Sequence, residues 1–404
     1  MSNRDVSIHR AEELKSRIQD YLDYEQSIPT GFRNKDMIKD NKKKLLQLLG
    51  GTEEDWNDWR WQLKNRISDV DQLAKVINLT DEEKENIRLI SEKYRWAISP
   101  YYVSIMEPHN PDCAVRKQSV PSIVEMVEGG EADPMGEEFT SPVENITRRY
   151  PDRLIIKVTN QCAMYCRHCQ RRRSIGQQDL ATSKEELQAC VDYVRDNPEV
   201  RDVLLTGGDA LMIKDDILFW LLRELRQIPH LEIIRIGTRT PVTMPQRITK
   251  ELCDELSKYH PLYLNTHFNS PSEITEEAAQ ATDLLTRAGI PLGNQAVLLK
   301  GINNHPYIMK KLNQELLRIR VKPYYIFHPK EVMGTGHFKV KIEEGLEIME
   351  NLRGFTSGMA IPTYIVNAPK GKGKTPLLPQ YLLDIEDGRA KLRNWENEVF
   401  YYPN

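Results

Sequence analysis

The chain has 404 residues, 40% of them hydrophobic and 28% charged, with a formal charge of −3. This composition excludes a disordered chain and supplies enough apolar material for a large core. The near-neutral balance gives no electrostatic reason for a nucleic-acid partner, and no apolar run approaches the roughly 20 residues of a membrane-spanning helix.

In chain order, residues 1–106 read as an N-terminal helical region. DEEKENIRLISEKYRWAI sets apolar residues three and four apart between charges, as amphipathic helices do. The first residues are charged throughout and lack an apolar signal segment, so a cytoplasmic protein with reduced thiols is expected. Trp56, Trp59 and Trp61 fall together in DWNDWRWQLKNRI and are expected to anchor this layer on the rest of the protein. Residues 107–148 are rich in Pro, Gly and acidic residues and read as an irregular wrapping connection.

Residues 149–353 change rhythm. LIIKVTN, VLLTGGD, IIRIGTRT, LYLNTHFN, LGNQAVLL and YYIF are short apolar runs separated by helix-like stretches. The alternation predicts an α/β fold with a parallel sheet, best satisfied by a partial (β/α)6 barrel; a doubly wound sheet is the alternative. Asn160, Gly207, Thr238, His267 and Lys330 all follow such runs, where either architecture collects its chemistry. Residues 354–404 form a C-terminal α+β extension with one more strand-like run, PTYIVN, and a basic loop, APKGKGKTP.

Six cysteines are present, and Cys162, Cys166 and Cys169 are spaced C-x3-C-x2-C just after the first of the six runs, whereas Cys113, Cys190 and Cys253 are scattered. Three thiolates can hold three irons of a 4Fe–4S cube, leaving the fourth open to an external ligand. A structural zinc site completed by His168 or a distant residue, or inert thiols, is the alternative, although zinc sites favour a second cysteine pair downstream. The spacing, with His168 before the last cysteine, resembles the signature of the radical S-adenosylmethionine superfamily. That resemblance implies that S-adenosylmethionine chelates the open iron and yields a 5′-deoxyadenosyl radical. Gly207, Gly208 and Asp209 resemble the glycine-rich motif that meets the methionyl amine, and His267 and Gln295 match positions near the same cofactor.

RRYPDRLIIKVTNQCAMYCRHCQRRR resembles one branch of that superfamily, the lysine 2,3-aminomutase family, and the likeness runs from the tryptophan helix to the APKGKGKTP loop. It implies pyridoxal 5′-phosphate, bound as an aldimine to Lys374 with Arg149 and Arg153 on its phosphate. Lys370 and Lys372 stand where the family loop has glycines, and the Lys-Thr-Pro ending assigns Lys374. Arg171 matches the arginine that takes the substrate α-carboxylate. The lysine-using members place two aspartates around the substrate ammonium, where this chain has Lys330 and Asn367. At 4 Å and an effective dielectric of 20, Lys330 would repel an ammonium by ~4 kcal/mol and attract a carboxylate equally. The expected reaction is therefore that of the glutamate-using branch, L-glutamate to β-glutamate. The alternatives are lysine isomerisation, or a cluster protein for modification or electron transfer. The resemblance further implies an electron donor of flavodoxin or ferredoxin type and a homo-oligomer. With no cysteine after Cys253, no zinc is expected.

Overall fold

The computed structural model describes residues 2–386 and 388–403. The N-terminal part is helical, with its longer helices at Asn3–Ser16, Lys35–Leu49 and Asp81–Lys93. Thr80 caps the last of these, its hydroxyl accepting the Glu83 N–H while the Glu83 carboxylate accepts the Thr80 N–H, which satisfies two end groups reciprocally. Ile87 and Ile90 form its buried face. Trp56 is buried and tilted against Trp61, and the Trp59 ring lies 4.6 Å beneath the buried Arg247 guanidinium of the barrel. The tryptophans thus join the helical layer to the sheet domain.

Among the described residues, nine strands form one sheet in sequence order: β1 Ile146–Tyr150, β2 Arg153–Lys157, β3 Asp202–Thr206, β4 Ile233–Gly237, β5 Leu262–Thr266, β6 Leu292–Val297, β7 Lys322–Phe327, β8 Thr363–Asn367 and β9 Lys374–Leu377. Strands β2 to β8 are parallel, and β1 and β9 are antiparallel edges. Helices such as Lys184–Asp196, Asp215–Arg226 and Pro306–Arg318 connect the parallel strands. The fold is the expected α/β partial barrel. The six apolar runs became β2 to β7, and PTYIVN adds β8, so the sheet continues beyond the six parallel strands expected and past residue 353.

Alternate residues explain both surfaces of the sheet. Leu154, Ile156, Val203, Leu205, Ile234 and Ile236 are buried in the core, each contributing about 1.5–3 kcal/mol. The other parity carries Arg153, Lys157, Thr206 and Arg235, which are only half-buried. Arg235 pairs with Asp202 across neighbouring strands at 2.7 Å.

The sheet curls until its two edges meet. The Lys374 N–H at the start of β9 donates to the Tyr150 hydroxyl at the end of β1, over 2.9 Å. A smaller antiparallel sheet, β10 Leu382–Glu386, β11 Arg389–Arg393 and β12 Val399–Pro403, follows. Arg393 ties it to Glu350 at 2.5 Å, and Trp395 packs edge-on against Phe355. No helix among the described residues is long and apolar enough to cross a membrane.

Candidate active site

A cavity of about 630 Å³ opens where the parallel strands end. Its wall includes Cys162, Cys166 and Cys169 after β2, Gly207 to Asp209 after β3, Thr238 and Arg239 after β4, His267 after β5, Gln295 within β6 and Lys330 after β7. Arg171 and His168 line the same space. Six successive strands thus deliver one cluster of side chains separated by up to 168 positions in sequence (162 to 330).

The cysteine loop is backed by the helical layer. Arg66 Nη1 donates to the Cys162 carbonyl at 2.6 Å, and the Tyr165 and Arg167 N–H groups donate to the Ala97 and Gln118 carbonyls. Burial, reinforced by the Asp209 charge, pushes the Cys162 thiol up, and burial followed by Cys166 raises the Cys169 thiol to about 11. Buried thiols crowded together ionise readily only beside concentrated positive charge, which an iron–sulfur cluster supplies. Among the described residues, no three His, Cys, Asp or Glu side chains close around a single metal ion.

The glycine turn rests on that loop. The Gly208 N–H donates to the Thr159 carbonyl at 2.5 Å and the Asp209 N–H to Gln161 at 2.8 Å. A Cβ on Gly207, at φ +135°, would overlap the Thr159 carbonyl oxygen, and one on Gly208 would sit 2.5 Å from the Asn160 carbonyl carbon. Glycine therefore permits the approach. The Asp209 carboxylate is saturated by the protein: it accepts the Thr238 hydroxyl at 2.5 Å and the Arg239 and Leu211 N–H groups at 2.7 and 3.0 Å. Its geometry is that of a staple between the β3 and β4 loops.

His267 and His168 are both held neutral. Burial lowers His267 to about 4, against a hydrogen bond from Nδ1 to the Gln295 carbonyl at 2.8 Å, leaving Nε2 as an acceptor. Burial, then Arg239, drives His168 down, and its buried Nδ1 has no protein partner among the described residues.

A second group lies toward the barrel edge. Lys330 donates to the Gln170 side-chain oxygen. Burial, then the Arg171 and Arg149 charges, lowers its amine to about 7. Arg171 presents Nε and Nη2 to the buried Glu137 at 2.9–3.1 Å, and Arg149 Nη2 lies 3.5 Å from the same carboxylate. Burial pushes Glu137 upward, but Arg171, Arg149 and Lys157 outweigh it and hold the carboxyl at about 2. Asn367 faces Lys374 directly across the β8–β9 pair, and its buried amide nitrogen has no partner among the described residues. The Lys374 amine lies 5.6 and 5.7 Å from the Tyr150 and Tyr325 ring centres. Local desolvation, then Arg235, Arg153 and Arg149, brings it down to about 8, within reach of the neutral, nucleophilic form.

These residues fit pyridoxal phosphate. Buried Arg149 Nε and Nη2 lack hydrogen-bond partners among the described residues, as an anion's donors would, and Arg153 stacks on Tyr150 at 4.1 Å beside the amine. Lys370 takes a left-handed φ of +57° in this loop, a conformation for which glycine is ordinarily preferred.

Several residues escaped the sequence reading. Arg239 donates to Cys166 Sγ, Glu273, Gln118 and the His267 carbonyl, and Tyr150 contributes both ring and hydroxyl. Glu137 and Gln170 hold Arg171 and Lys330. Tyr150 and Gln170 sit inside the motifs already singled out and Arg239 directly follows Thr238 at the end of one of the apolar runs, which were usable signals; Glu137 had none.

Comparison with known proteins agrees with this geometry. Residues 156–309 match the Radical SAM superfamily, and residues 349–404 match Lysine-2,3-aminomutase. The chain is 59% identical over 395 residues to a glutamate 2,3-aminomutase of Clostridioides difficile, covering 98% of this chain and 94% of that protein. It is 52% identical to an L-lysine 2,3-aminomutase of Bacillus subtilis, covering 87% of this chain and 75% of that one, and 50% identical to one from Acetoanaerobium sticklandii, covering 87% and 85%. With the cysteine loop, the glycine turn and the Lys374 loop gathered at the ends of one partial barrel, the chain belongs to the lysine 2,3-aminomutase family of radical S-adenosylmethionine isomerases.

Proposed function

We propose that the chain isomerises L-glutamate to β-glutamate. The observation that carries this reading is the pair of cations on the substrate side, Arg171 and Lys330, the latter hydrogen-bonded to Gln170, with Glu137, the carboxylate that acts on Lys330, already paired to Arg171. A substrate with two carboxylates satisfies both cations; a substrate ending in an ammonium meets repulsion at Lys330. The relative from Clostridioides difficile that is named for glutamate supports the same choice.

When bound, the cluster with S-adenosylmethionine supplies hydrogen-atom abstraction, and pyridoxal phosphate supplies a conjugated carrier for the migrating nitrogen. The chain's own residues do the rest. Cys162, Cys166 and Cys169 hold three irons, and the Gly207–Gly208 turn, His168, His267 and Gln295 border S-adenosylmethionine. Lys374 binds the pyridoxal carbonyl through its amine, with Arg149 and Arg153 on the phosphate. Arg171 orients the α-carboxylate, and Lys330 with Asn367 takes the γ-carboxylate. Enclosure in the barrel mouth keeps water from the reacting carbons. The same reading calls for a flavodoxin- or ferredoxin-type electron donor, a homo-oligomer and a cytoplasmic setting.

Anaerobically reconstituted protein, given S-adenosylmethionine, pyridoxal phosphate, reductant and either L-glutamate or L-lysine, tests the proposal by NMR of the products. β-Glutamate formation is expected. β-Lysine formation without β-glutamate would overturn it.

A further inference from the structure

By composition residues 107–148 simply wrap. In the structure, a short strap within them, residues 130–141, touches every loop of the substrate side. The Glu131 N–H donates to the Glu331 carbonyl at 2.8 Å and the Met333 N–H to the Glu131 carbonyl at 3.0 Å, fastening the strap beside Lys330. The Lys370 N–H donates to the Pro134 carbonyl at 3.1 Å, fastening it to the loop that leads to Lys374. Asp133 and Glu138 both pair with Arg173, at 2.8 and 2.7 Å, next to Arg171. At the centre stands Glu137, only 5% exposed.

Glu137 engages one edge of the Arg171 guanidinium, the Nε–Nη2 edge, and leaves Nη1 without a protein partner among the described residues. The same carboxylate lies 3.5 Å from Arg149 Nη2. The Arg171 plane has little freedom once that edge is engaged, and the same carboxylate holds Arg149 beside it by charge, without a hydrogen bond. We propose that Glu137 is a positioning residue: it clamps Arg171 and Arg149 together, so that the substrate carboxylate on one and the cofactor phosphate on the other are held at a fixed separation. This rests on the roles given to Arg171 and Arg149 under the proposed function. Reacting atoms displaced by about 1 Å lose roughly 100-fold in rate, so such a clamp acts on turnover more than on affinity.

The test is Glu137→Gln in the reconstituted holoenzyme, with Glu137→Asp as companion, which keeps the charge but retracts it by one methylene. Both are expected to lower kcat at least tenfold. In Glu137→Gln the KM for L-glutamate should stay level or fall, because Arg171 then has no competing anion. A raised KM with unchanged kcat, a lowered KM with unchanged kcat, or wild-type kinetics in both variants would each overturn the proposal; the second would make Glu137 a simple competitor for Arg171. If Glu137→Gln fails to fold, Glu137→Asp with a wild-type thermal midpoint decides by its kcat. If the wild-type protein leaves glutamate untouched, the substrate reading fails separately. The visible circular dichroism of bound pyridoxal phosphate then decides: a weakened band in both variants supports the clamp, and an unchanged band overturns it.

Discussion

Arg239 donates from Nη1 to the Sγ of Cys166 across 2.8 Å. Its Nη2 simultaneously serves Gln118 and Glu273, at 2.6 and 2.7 Å, and the Glu273 carboxylate also accepts the Tyr102 hydroxyl and the Asn269 and Ser270 N–H groups. In the proposed cluster, with Cys166 as a ligand, a fixed positive charge on that sulfur favours the reduced, more negative state. Arg239→Gln should therefore lower the cluster potential by about 60 mV, a tenfold change for a one-electron couple. Redox titration followed by electron paramagnetic resonance checks it. The same variant strands Glu273, which is fully buried, and should cost the apoprotein about 3 kcal/mol in denaturant unfolding.

Reversing the charge at position 330 should reverse the selection of substrate. Lys330→Asp exchanges an attraction of ~4 kcal/mol for a repulsion of similar size. Its kcat/KM for glutamate should fall by at least about 1,000-fold, since 1.4 kcal/mol corresponds to tenfold. Lys330→Asp combined with Asn367→Asp should gain measurable β-lysine formation. Product NMR with each amino acid checks both. Retention of glutamate turnover in Lys330→Asp would mean that the γ-carboxylate binds elsewhere.

The Lys330 amine, lowered to about 7 by burial and then by Arg171 and Arg149, makes glutamate capture pH-dependent. The nearby groups are Arg171, Arg149 and Lys374, which oppose its charge, and Glu137, which favours it. Below about pH 7 the free enzyme carries the ammonium that a carboxylate requires; above it the neutral amine dominates. In this window kcat/KM for glutamate should fall toward tenfold per pH unit on the alkaline side. Lys330→Arg, always charged, should flatten that limb. Attachment of pyridoxal phosphate should show the opposite slope, because Lys374 must lose its proton, through a pKa of about 8, to react. Stopped-flow absorbance of cofactor loading separates the two limbs.

What could be read from the sequence was whatever is local. Strand alternation at Leu154/Ile156 or Val203/Leu205 depends on neighbours two residues apart, and the cysteine spacing on a single loop. The glycine pair was legible as a turn, though the reason for it, the Thr159 and Gln161 carbonyls beneath, was not. Arg239 and Glu137 gain their roles only from partners far away in the chain: Cys166 is 73 positions from Arg239, and Arg171 is 34 from Glu137. An arginine in GTRTPV and a glutamate in an acidic connection look like surface charges until the barrel closes around them. Asp209 combines the two cases: its motif was legible, whereas the partners of its carboxylate after β4, the Thr238 hydroxyl and the Arg239 N–H, lie 29 and 30 positions away.

Gly208 offers the sharpest test of how the two cofactor loops depend on each other. A methyl group there would meet backbone rather than a yielding side chain: the Gln161 carbonyl oxygen, and the Asn160 carbonyl carbon at 2.5 Å. Relief requires the β3 turn and the cysteine loop to separate, which breaks the Gly208-to-Thr159 and Asp209-to-Gln161 bonds at 2.5 and 2.8 Å. Gly208→Ala should therefore destabilise the fold by about 1–3 kcal/mol, the range for overpacking a close contact. It should also load less iron than the wild type, because the same separation moves Cys162, the residue next to Gln161. Thermal denaturation and iron analysis of the reconstituted variant measure the two effects. A stable variant with a full iron complement would show that the cysteine loop holds its shape without the glycine turn packed against it.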